Sequence, residues 1–444
     1  MASSTEPVEP AASVKARSGG LSLQTFSAFG SRPFRLLWLN TFSFMIVNGV
    51  QRFAFLWLAL EISDRSIVLG AVSFALGAPI LLFSLPAGVL IDRLDRRLVL
   101  FGSQIFGLVG SLLAAVLIWA GAMSIGLALA FAFVLGAAVA IGQPARQAIV
   151  PTIVEPRRLM NAITLTSTSQ NLSQLAGPAI GGVSIAIWGI GGSFAVQAVV
   201  LAVGLLALIP LHLPAVTTQA ATLKRRWLTD LAGGLRFVAE TPNIRALMIL
   251  LVVSALLAGG PWGTLLPKLA KDELGADALG TSMLFATMGV GTLVASLALA
   301  SIGQLKNAGG WFMFALIIAS AMMVGLGLIK VYAIVLGLMF ITGISAGCFM
   351  NLNQTLIQAH SPHVFMGRVM SIYTLCFMGG MPLGGLLAGF GAEFVGAPTY
   401  FAACGVANVV ATTTALVTQR SMRRMSTVPS ESAQPAPAAA NVPA

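Results

Sequence analysis

A cluster of charged residues between two long apolar runs has the clearest chemical role in this sequence. It follows the pattern G-x-x-x-D-R-x-D-R-R and comprises Gly88, Asp92, Arg93, Asp95, Arg96 and Arg97. Because charged groups are costly in hydrocarbon, the cluster is predicted to form a short hairpin loop at one face of a bilayer. The Asp92 carboxylate can accept hydrogen bonds from the N-terminus of a neighbouring helix. Such a contact forms in only one arrangement of the helices, so the sequence predicts a gating loop; a loop that only fixes topology is the alternative.

Polar side chains inside the apolar runs are the candidates for binding a ligand. Arg52 lies within the first run, and Asn48 and Gln51 share its helical face at i, i+3 and i+4 spacing. An unpaired cation at that depth is costly, so Arg52 is predicted to face a water-filled cavity; snorkelling to the membrane interface is the alternative. The other candidate cavity residues, for which helix packing or a place at the membrane surface is the alternative, are Arg146, Gln170, Asn171, Trp262, Asn351, Asn353, Gln354 and Tyr373.

Acidic residues are missing from the interior of the apolar runs. Proton-driven antiport commonly uses a carboxylate that binds a proton within the membrane. The acidic residues here fall at the ends of the runs, in loops or in the tails, which leaves Glu61 and Asp92 as candidate proton sites. There is no G-x-x-x-x-G-K-[ST] motif, so ATP is not expected to supply the energy. The histidines and cysteines lack metal-ligand spacing, so no metal, cofactor or enzymatic activity is predicted.

The composition indicates which elements position these residues. Hydrophobic residues make up 57% of the chain and charged residues 9%, whereas a soluble domain carries roughly 25% charged residues. The excess apolar surface must face lipid, and at about 20 residues per span the chain holds about ten to twelve helices. The formal charge is +11, but the basic residues lie in loops and tails, so the lipid bilayer and not nucleic acid is the expected partner. The predicted fold class is an all-α polytopic membrane protein.

The chain divides into two halves. The predicted spans are 34–60, 66–90, 98–120, 124–147, 160–187, 191–213, 244–266, 278–302, 308–329, 331–357, 366–392 and 396–419. Most Lys and Arg residues then fall on one side, which places both termini in the cytoplasm by the positive-inside rule. The predicted organisation is a disordered cytoplasmic tail (1–30), an N-terminal six-helix bundle (31–213), a cytoplasmic linker with an amphipathic helix at the inner membrane surface (214–243), a C-terminal six-helix bundle (244–420) and a second disordered cytoplasmic tail (421–444).

The two halves resemble each other in sequence. QPARQAIVPTIVEPRRLMNAITL at 143–165 corresponds to NLNQTLIQAHSPHVFMGRVMSIYTL at 351–375, and LAGPAIGG at 175–182 corresponds to GGMPLGG at 379–385. Both correspondences fall at the fourth and fifth helices of their half. Internal duplication of six-helix units is typical of transporters that rock about a substrate site at the interface of the halves. The sequence therefore predicts twelve transmembrane helices in two pseudo-symmetric bundles.

The charged loop resembles the signature loop between helices 2 and 3 of the major facilitator superfamily, except that Asp95 stands where glycine is usual. A second motif resembles the helix 5 pattern G-x-x-x-G-P-x-x-G-G of drug–proton antiporters, with serine for the first glycine; its residues are Ser173, Gly177, Pro178, Gly181 and Gly182. FRLLWL (34–39), QPARQAIVP (143–151) and GRVMSIYTL (367–375) also resemble the antiporter subgroup that includes bacterial enterobactin and macrolide exporters. The resemblance implies the major facilitator fold and export; close packing of helix 5 is the simpler interpretation of its glycines.

Together these features predict a secondary active transporter that exports an amphipathic small molecule, such as a drug, a siderophore or a metabolite, in exchange for protons. It is expected to act as a monomer in the bacterial inner membrane, where its partners are the substrate, protons and the lipid bilayer. Similar exporters often carry aspartate in helix 1 where this chain has Asn48. An uncoupled or inward-directed lipid or solute facilitator of the same fold is therefore the alternative, and a membrane sensor or scaffold without transport is a further one.

Overall fold

The computed structural model describes residues 23–93, 95–211 and 227–427, apart from the side chains of 23–26, 84–93, 171, 174–175, 227–231 and 363. Within these ranges the chain is helical and contains no β-strand. The apolar sequence explains this, because a backbone in hydrocarbon has no water partners and must pair its N–H and C=O groups within a helix. Large apolar side chains such as Phe106, Leu297 and Phe394 are exposed, as contact with lipid requires.

The first half of the chain forms five long helices, of which the last is broken once. After a short 3₁₀ helix (Leu23–Gly30) these are α1 (Arg32–Ile62), α2 (Ser66–Arg93), α3 (Arg96–Trp119), α4 (Ile125–Ile153) and α5 (Leu159–Leu208). Their ends follow local signals in the sequence. Pro33 occupies the first turn of α1, and the Ser124 side chain caps α4 by accepting a hydrogen bond from the N–H of Leu127. Gly121, with φ of 66°, turns the chain between α3 and α4.

Helix α5 consists of two membrane crossings joined at Gly189. Its 50 residues would extend about 75 Å as one helix, far beyond the ~30 Å hydrocarbon core of a bilayer. At Gly189 the backbone leaves the helical region (φ 70°, ψ −178°), a conformation that glycine adopts without steric cost. The arms 159–188 and 190–208 are named α5a and α5b. Eleven helices of the described chain can span a membrane, and the double crossing of α5 gives the twelve crossings predicted.

The second half repeats this arrangement after a linker helix. The linker helix is α6 (Trp227–Glu240), and α7 (Pro242–Ser254) then passes through a π-helical turn (Ala255–Gly259) into α8 (Gly260–Leu274) to form one crossing. The remaining helices are α9 (Ala278–Ile302), α10 (Ala308–Leu328), α11 (Tyr332–Ala359), α12 (His363–Val395), α13 (Ala397–Thr418) and α14 (Arg420–Arg423). The Asp277 side chain caps α9 by accepting a hydrogen bond from the N–H of Gly280 at 2.7 Å.

Each half has its own apolar core. In the N-terminal half, Phe55 of α1 packs edge-on against Phe194 of α5b with ring centroids 4.9 Å apart, and both side chains are buried. In the C-terminal half, Trp262 of α8 packs in the same way on Phe401 of α13, again at 4.9 Å. Aromatic pairs of this geometry add to the stabilisation from buried area. The halves are thus two separately packed bundles, as the fold-class prediction requires.

The linker helix α6 packs on protein and not on the membrane surface alone. The ring of Phe237 stacks on that of Phe365 in α12 with centroids 4.9 Å apart, and Val238 is buried. A Cβ atom on Gly234 would lie 2.9 Å from Cβ of Arg368 in α12. The apolar face predicted from the sequence exists, but part of it is covered by the C-terminal bundle. Residues 212–226 of the predicted linker region lie outside the described chain.

Parts of both predicted tails pack on the bundles, namely residues 23–30 and 421–427. At the start, residues 23–30 form the 3₁₀ helix, where Ala28 is buried and its N–H donates to Asn161 Oδ1 at 3.0 Å. At the end, the Leu305 N–H donates to Thr427 Oγ1 at 2.9 Å, and the buried Met425 packs in the C-terminal core. These segments are ordered because they bury apolar side chains and pair their backbone with the bundles.

Candidate functional site

The two halves meet in a seam at one end of the molecule. The described chain ends, the charged loop and α6 lie at the terminal face, and the connections 63–65, 275–277 and 396 lie at the opposite, distal face. At the distal face the Glu393 carboxylate, on α12, accepts hydrogen bonds from Arg65 Nε at 2.8 Å and from the N–H of Ile67 at 3.2 Å. Ile67 lies in the first turn of α2, where the helix dipole favours a negative charge.

Two lysines of α8 add to the seam. Lys268 Nζ donates to the C=O of Asp64 at 2.7 Å, and Lys271 Nζ donates to the C=O of Leu60 at 3.0 Å. Both acceptors belong to the N-terminal half. The Lys271 side chain is 37% exposed and that of Lys268 is 13% exposed, and charged contacts at a protein surface contribute at most about 1 kcal/mol each. The polar part of the seam can therefore form and separate at low cost.

Close helix packing forms the deeper part of the seam. Thr264 Oγ1 donates to Ser73 Oγ at 2.9 Å, and both residues are buried. Helices α2 and α12 touch backbone to backbone, because a Cβ atom on Gly389 would lie only 2.5 Å from Cα of Gly70. Every hydrogen bond and ion pair that the structure describes between the two halves belongs to this seam.

The glycine motif of α5a joins this helix to α1. A Cβ atom on Gly177 would lie 2.5 Å from Cα of Gly49, so the two backbones are in contact. Ser173, which replaces the usual glycine, is buried and donates to the C=O of Ser169 at 2.7 Å. Pro178 lies inside the helix and removes one backbone donor. These residues have the packing role that small residues have in membrane helices.

The last two glycines of the motif lie close to the C-terminal half. Gly182 lies directly against Ser282 of α9. Gly181 lies against Phe53, whose ring meets that of Phe285 in α9 edge-on with centroids 6.1 Å apart. Because α9 belongs to the C-terminal half, this end of the motif is part of the seam. Packing within a half and contact between halves are thus combined in one motif.

The charged loop is anchored to its own half. Asp95 Oδ1 accepts a hydrogen bond from the N–H of Arg97 at 2.8 Å and so caps α3. Arg96 Nη1 donates to the C=O of Ala148 in α4 at 3.0 Å, and Arg97 Nη2 donates to the C=O of Ile209 at 2.8 Å. The two arginines therefore bind backbone carbonyls at the terminal ends of neighbouring helices.

The first part of the charged loop belongs to helix α2. Gly88, Asp92 and Arg93 lie in its last turns, so only residues 94 and 95 separate α2 from α3. The loop is shorter than predicted because α2 continues helically through the first charged residues. The side chains of these three residues lie outside the description. The gating role predicted for Asp92 therefore stays a prediction.

Arg146 is enclosed within the N-terminal bundle. It is 2% exposed, its Nε donates to Asn40 Oδ1 at 3.1 Å and its Nη2 donates to Gln104 Oε1 at 2.9 Å. The guanidinium lies over the ring of Phe44, 3.6 Å from the centroid. No described carboxylate forms an ion pair with it. Amide oxygens and an aromatic ring therefore stabilise this charge. Arg146 is thus enclosed in the bundle, whereas the sequence predicted that it lines a cavity.

The C-terminal bundle has an uncharged counterpart of this network. Ser254 Oγ donates to Asn408 Oδ1 at 3.3 Å, and Asn408 Nδ2 donates to Ser320 Oγ at 2.9 Å. All three residues are buried, and they join α7, α10 and α13, the equivalents of α1, α3 and α5b. The pseudo-symmetry thus extends to a polar centre in each bundle, of which the N-terminal one carries the arginine.

Arg52 is exposed although its neighbours on α1 are not. It is the only exposed residue of α1 over positions 40–60. Leu56 and Ala59 lie on the same helical face nearer the distal end, and they are 2% and 1% exposed. A lipid-facing stripe would expose all of these positions together. This pattern favours a cavity position for Arg52 over snorkelling, and the cavity position stays a prediction.

The neighbours of Arg52 in the predicted site face inward. Asn48 is half-buried and Gln51 is buried, and both line a cavity of about 10 Å³ between α1, α3, α4 and α5b. A volume of this size holds about one water molecule. On α5a, Gln170 is half-buried, and the side chain of Asn171 lies outside the description.

The predicted cavity residues of the C-terminal half differ in exposure. Asn351 and Gln354 on α11 are exposed, and Asn351 Nδ2 donates to Ser296 Oγ at 3.1 Å. Asn353 is fully buried and its Nδ2 donates to the C=O of Leu247 in α7 at 3.5 Å. Helix α11 therefore presents two polar side chains to an accessible surface and one to the bundle interior.

Two aromatic residues predicted to line the cavity are packed in the C-terminal bundle. Trp262 is 8% exposed and rests on Phe401. Tyr373 is also 8% exposed, and its ring stacks on that of Phe377 with centroids 6.2 Å apart. Both take the packing role that was the alternative for them.

The candidate proton site Glu61 lies at the distal end of α1. Its side chain is exposed, and Oε1 accepts a hydrogen bond from Trp57 Nε1 at 3.1 Å. The site is thus open to solution and not enclosed in the membrane interior. The described residues include no cluster of three or more His, Cys, Asp or Glu side chains that could hold a metal ion.

Sequence analysis did not identify four residues of these networks. Arg65 and Glu393 meet across 328 positions, and nothing in their spacing indicates that they pair. Asn40 and Gln104 hold Arg146, and their signal was present in the sequence, since both are polar residues in apolar runs. A search for every polar residue inside a span would have found this second pair.

Two duplicated six-helix bundles that meet in a separable seam define a secondary transporter of the major facilitator type. The nucleoside transporter NupG has a similar fold, with a TM-score of 0.65 and 14% sequence identity over 89% of this chain and 99% of that one. This chain matches the family described as transmembrane secretion effector over residues 23–442 and belongs to it.

The curated relatives are transporters as well. The staphyloferrin A transporter of Staphylococcus aureus is 25% identical, over 84% of this chain and 93% of the relative. Macrolide efflux protein A of Streptococcus pyogenes is 20% identical, over 84% of this chain and 92% of the relative. The expected resemblance to exporters of the major facilitator superfamily is confirmed. The chain is a multi-pass membrane transporter and not an enzyme.

Proposed function

We propose that this protein exports amphipathic small molecules across the bacterial plasma membrane by alternating access, driven by proton entry and acting as a monomer. The observation that carries the proposal is the seam, whose described hydrogen bonds and ion pairs all lie in the distal half of the molecule. With both termini in the cytoplasm, as the positive-inside rule predicts, the distal face is the outer face. The structure then represents the state that is closed to the outside.

The construction of the seam supports a reversible closure. Exposed ion pairs such as that between Arg65 and Glu393 contribute little to stability. Glycine contacts such as Gly70 with Gly389 require no side-chain rearrangement when the helices part. The charged loop at the terminal face is proposed to form the matching inner closure, with Asp92 as its carboxylate.

The printed names of the relatives support the proposed cargo. One relative is named staphyloferrin A transporter and another macrolide efflux protein A. These names support an organic molecule as the cargo. Alternating access places the site for such a substrate between the two bundles.

Proton coupling is proposed to use Glu61 or Asp92. None of the acidic residues lies in the interior of a span, which also favours a second candidate function. In that alternative the protein is a facilitator that moves a lipid or solute down its own gradient. The two functions differ in their dependence on the pH gradient, and one experiment separates them.

The test uses everted membrane vesicles that contain the protein and are energised to be acid inside. Uptake of fluorescent cationic, neutral and anionic amphipaths is measured before and after collapse of the pH gradient. Uptake that stops on collapse supports proton-coupled export, and uptake that continues supports the facilitator. Asp92→Asn is expected to depress uptake strongly at unchanged protein level. Glu155→Gln, which changes an exposed acidic residue at the terminal face, is expected to retain uptake. Vesicles in which the protein moves no compound contradict both functions.

A further inference from the structure

The positive charge of Arg52 has no partner among the described residues. Its side chain is exposed, and no described ion pair or hydrogen bond reaches it. The only acidic residue of α1 is Glu61, which at nine positions further along lies about 13 Å away along the helix axis. A guanidinium at this depth is costly unless an anion or water compensates it.

The membrane interior of this protein carries positive charge only. The 14 acidic residues of the chain all lie at helix ends, in connections or in the tails. Arg146 is a second interior cation of the N-terminal bundle, and it too lacks a described carboxylate. Apolar surroundings strengthen the field of a charge that no carboxylate compensates. An anion beside the exposed Arg52 is therefore stabilised, and a cation is repelled.

We infer that Arg52 binds a carboxylate of the transported substrate, so that the protein prefers amphipathic monoanions to their neutral and cationic counterparts. The guanidinium offers parallel N–H donors that match the two oxygens of a carboxylate. The inference rests on the proposed function in one respect, because it takes the space between the halves as the path of the substrate and places the exposed Arg52 side chain on that path.

Binding to purified full-length protein in detergent tests this inference without any transport step. The probes are dansyl-aminoundecanoic acid, its carboxamide and the corresponding amine, whose dissociation constants are measured by dansyl fluorescence. Wild-type protein is expected to bind the acid at least tenfold more tightly than the amide, since a hydrogen-bonded charge pair is worth about one order of magnitude or more. The amine is expected to bind most weakly.

Variants assign the preference to one side chain. Arg52→Gln is expected to reduce affinity for the acid to that for the amide and to leave the amide unchanged. Arg52→Lys keeps the positive charge but loses the parallel N–H donors of the guanidinium. It is therefore expected to retain part of the preference for the acid over the amide. Arg157→Gln removes an exposed arginine at the terminal face and is expected to bind as wild type does.

Three results overturn the inference. The first is that wild-type protein binds the acid and the amide with equal affinity. The second is that Arg52→Gln loses the same factor in affinity for all probes. The third is that the wild type binds none of the probes. The second result would mean that Arg52 has a structural role only. Because neither a pH gradient nor a sealed vesicle is involved, loss of proton coupling in the vesicle experiment leaves this test intact.

Discussion

A single methyl group at Gly389 is expected to hold the distal face open. A Cβ atom there would lie 2.5 Å from Cα of Gly70 and 2.6 Å from both the Gly70 nitrogen and the Ser66 carbonyl oxygen, whereas ordinary contacts are 3.4–4 Å. All three neighbouring atoms are backbone atoms, so no rotamer change relieves the overlap. Helices α2 and α12 must move apart by nearly an ångström, which removes this backbone contact of the seam.

The size of the effect follows from the cost of overpacking. Inserting one methyl group into a tight contact costs about 1–3 kcal/mol, and 1.4 kcal/mol corresponds to about a factor of ten in an equilibrium. The state with the distal face open is therefore expected to gain roughly 5- to 150-fold in population relative to the closed state. The substitution does not weaken the helix itself, because alanine is favoured over glycine in a helix by about 0.5–1 kcal/mol.

The assay measures access to the seam from the distal side. In a background without Cys348, Cys376 and Cys404, Ser73→Cys places a thiol at a position that is 4% exposed. Its rate of reaction with a membrane-impermeant maleimide is expected to rise at least fivefold when Gly389→Ala is added, in proportion to the open population. Gly337→Ala is the matched control, because its Cβ would meet nothing within 4 Å. Equal labelling rates in the two alanine variants would refute the role given to the seam.

Three further substitutions test the other networks. Arg146→Met removes two charge-assisted hydrogen bonds of about 1.5–3 kcal/mol each. The midpoint of thermal unfolding in detergent, measured by scanning fluorimetry, is therefore expected to fall clearly. An unchanged midpoint would show that the buried network adds no stability. Gly189→Ala forces a side chain into a φ of 70°, and the cost of about 1–2 kcal/mol is expected to lower the midpoint by a smaller amount, with any increase contradicting the break in α5. Glu393→Gln is expected to raise the labelling rate of Ser73→Cys by less than about fivefold, since an exposed ion pair contributes below 1 kcal/mol. A larger rise would mean that this ion pair is the main contact that keeps the distal face closed.

Hydropathy predicted the membrane architecture because each crossing must satisfy its backbone internally. The break at Gly189 was predicted only as a boundary between two spans. The continuation of α2 through Asp92 and Arg93 was not predicted, since the bilayer limits how much of a helix is apolar and not how far it extends beyond the membrane. The positions of helix ends therefore required the structure.

The candidate site could be predicted by residue type but not by orientation. Arg52 and Arg146 are both arginines inside apolar runs, yet the first is exposed and the second is enclosed under Phe44. Which face of a helix meets which neighbour depends on tertiary packing, and periodicity alone does not distinguish two buried faces. Pairing of Arg65 with Glu393 depends on how two half-chains dock, so no local pattern contains it.

The attachment of α6 to α12 has a mechanical consequence. Because Phe237 stacks on Phe365, α6 is expected to move with the C-terminal bundle in the proposed alternating access. The covalent connection between the two bundles is then the chain from Leu211 to Trp227. A chain of that length reaches at most about 50 Å, so its length alone does not restrict the tilt of one bundle against the other. The proposed motion is therefore guided by the surfaces of the seam that touch.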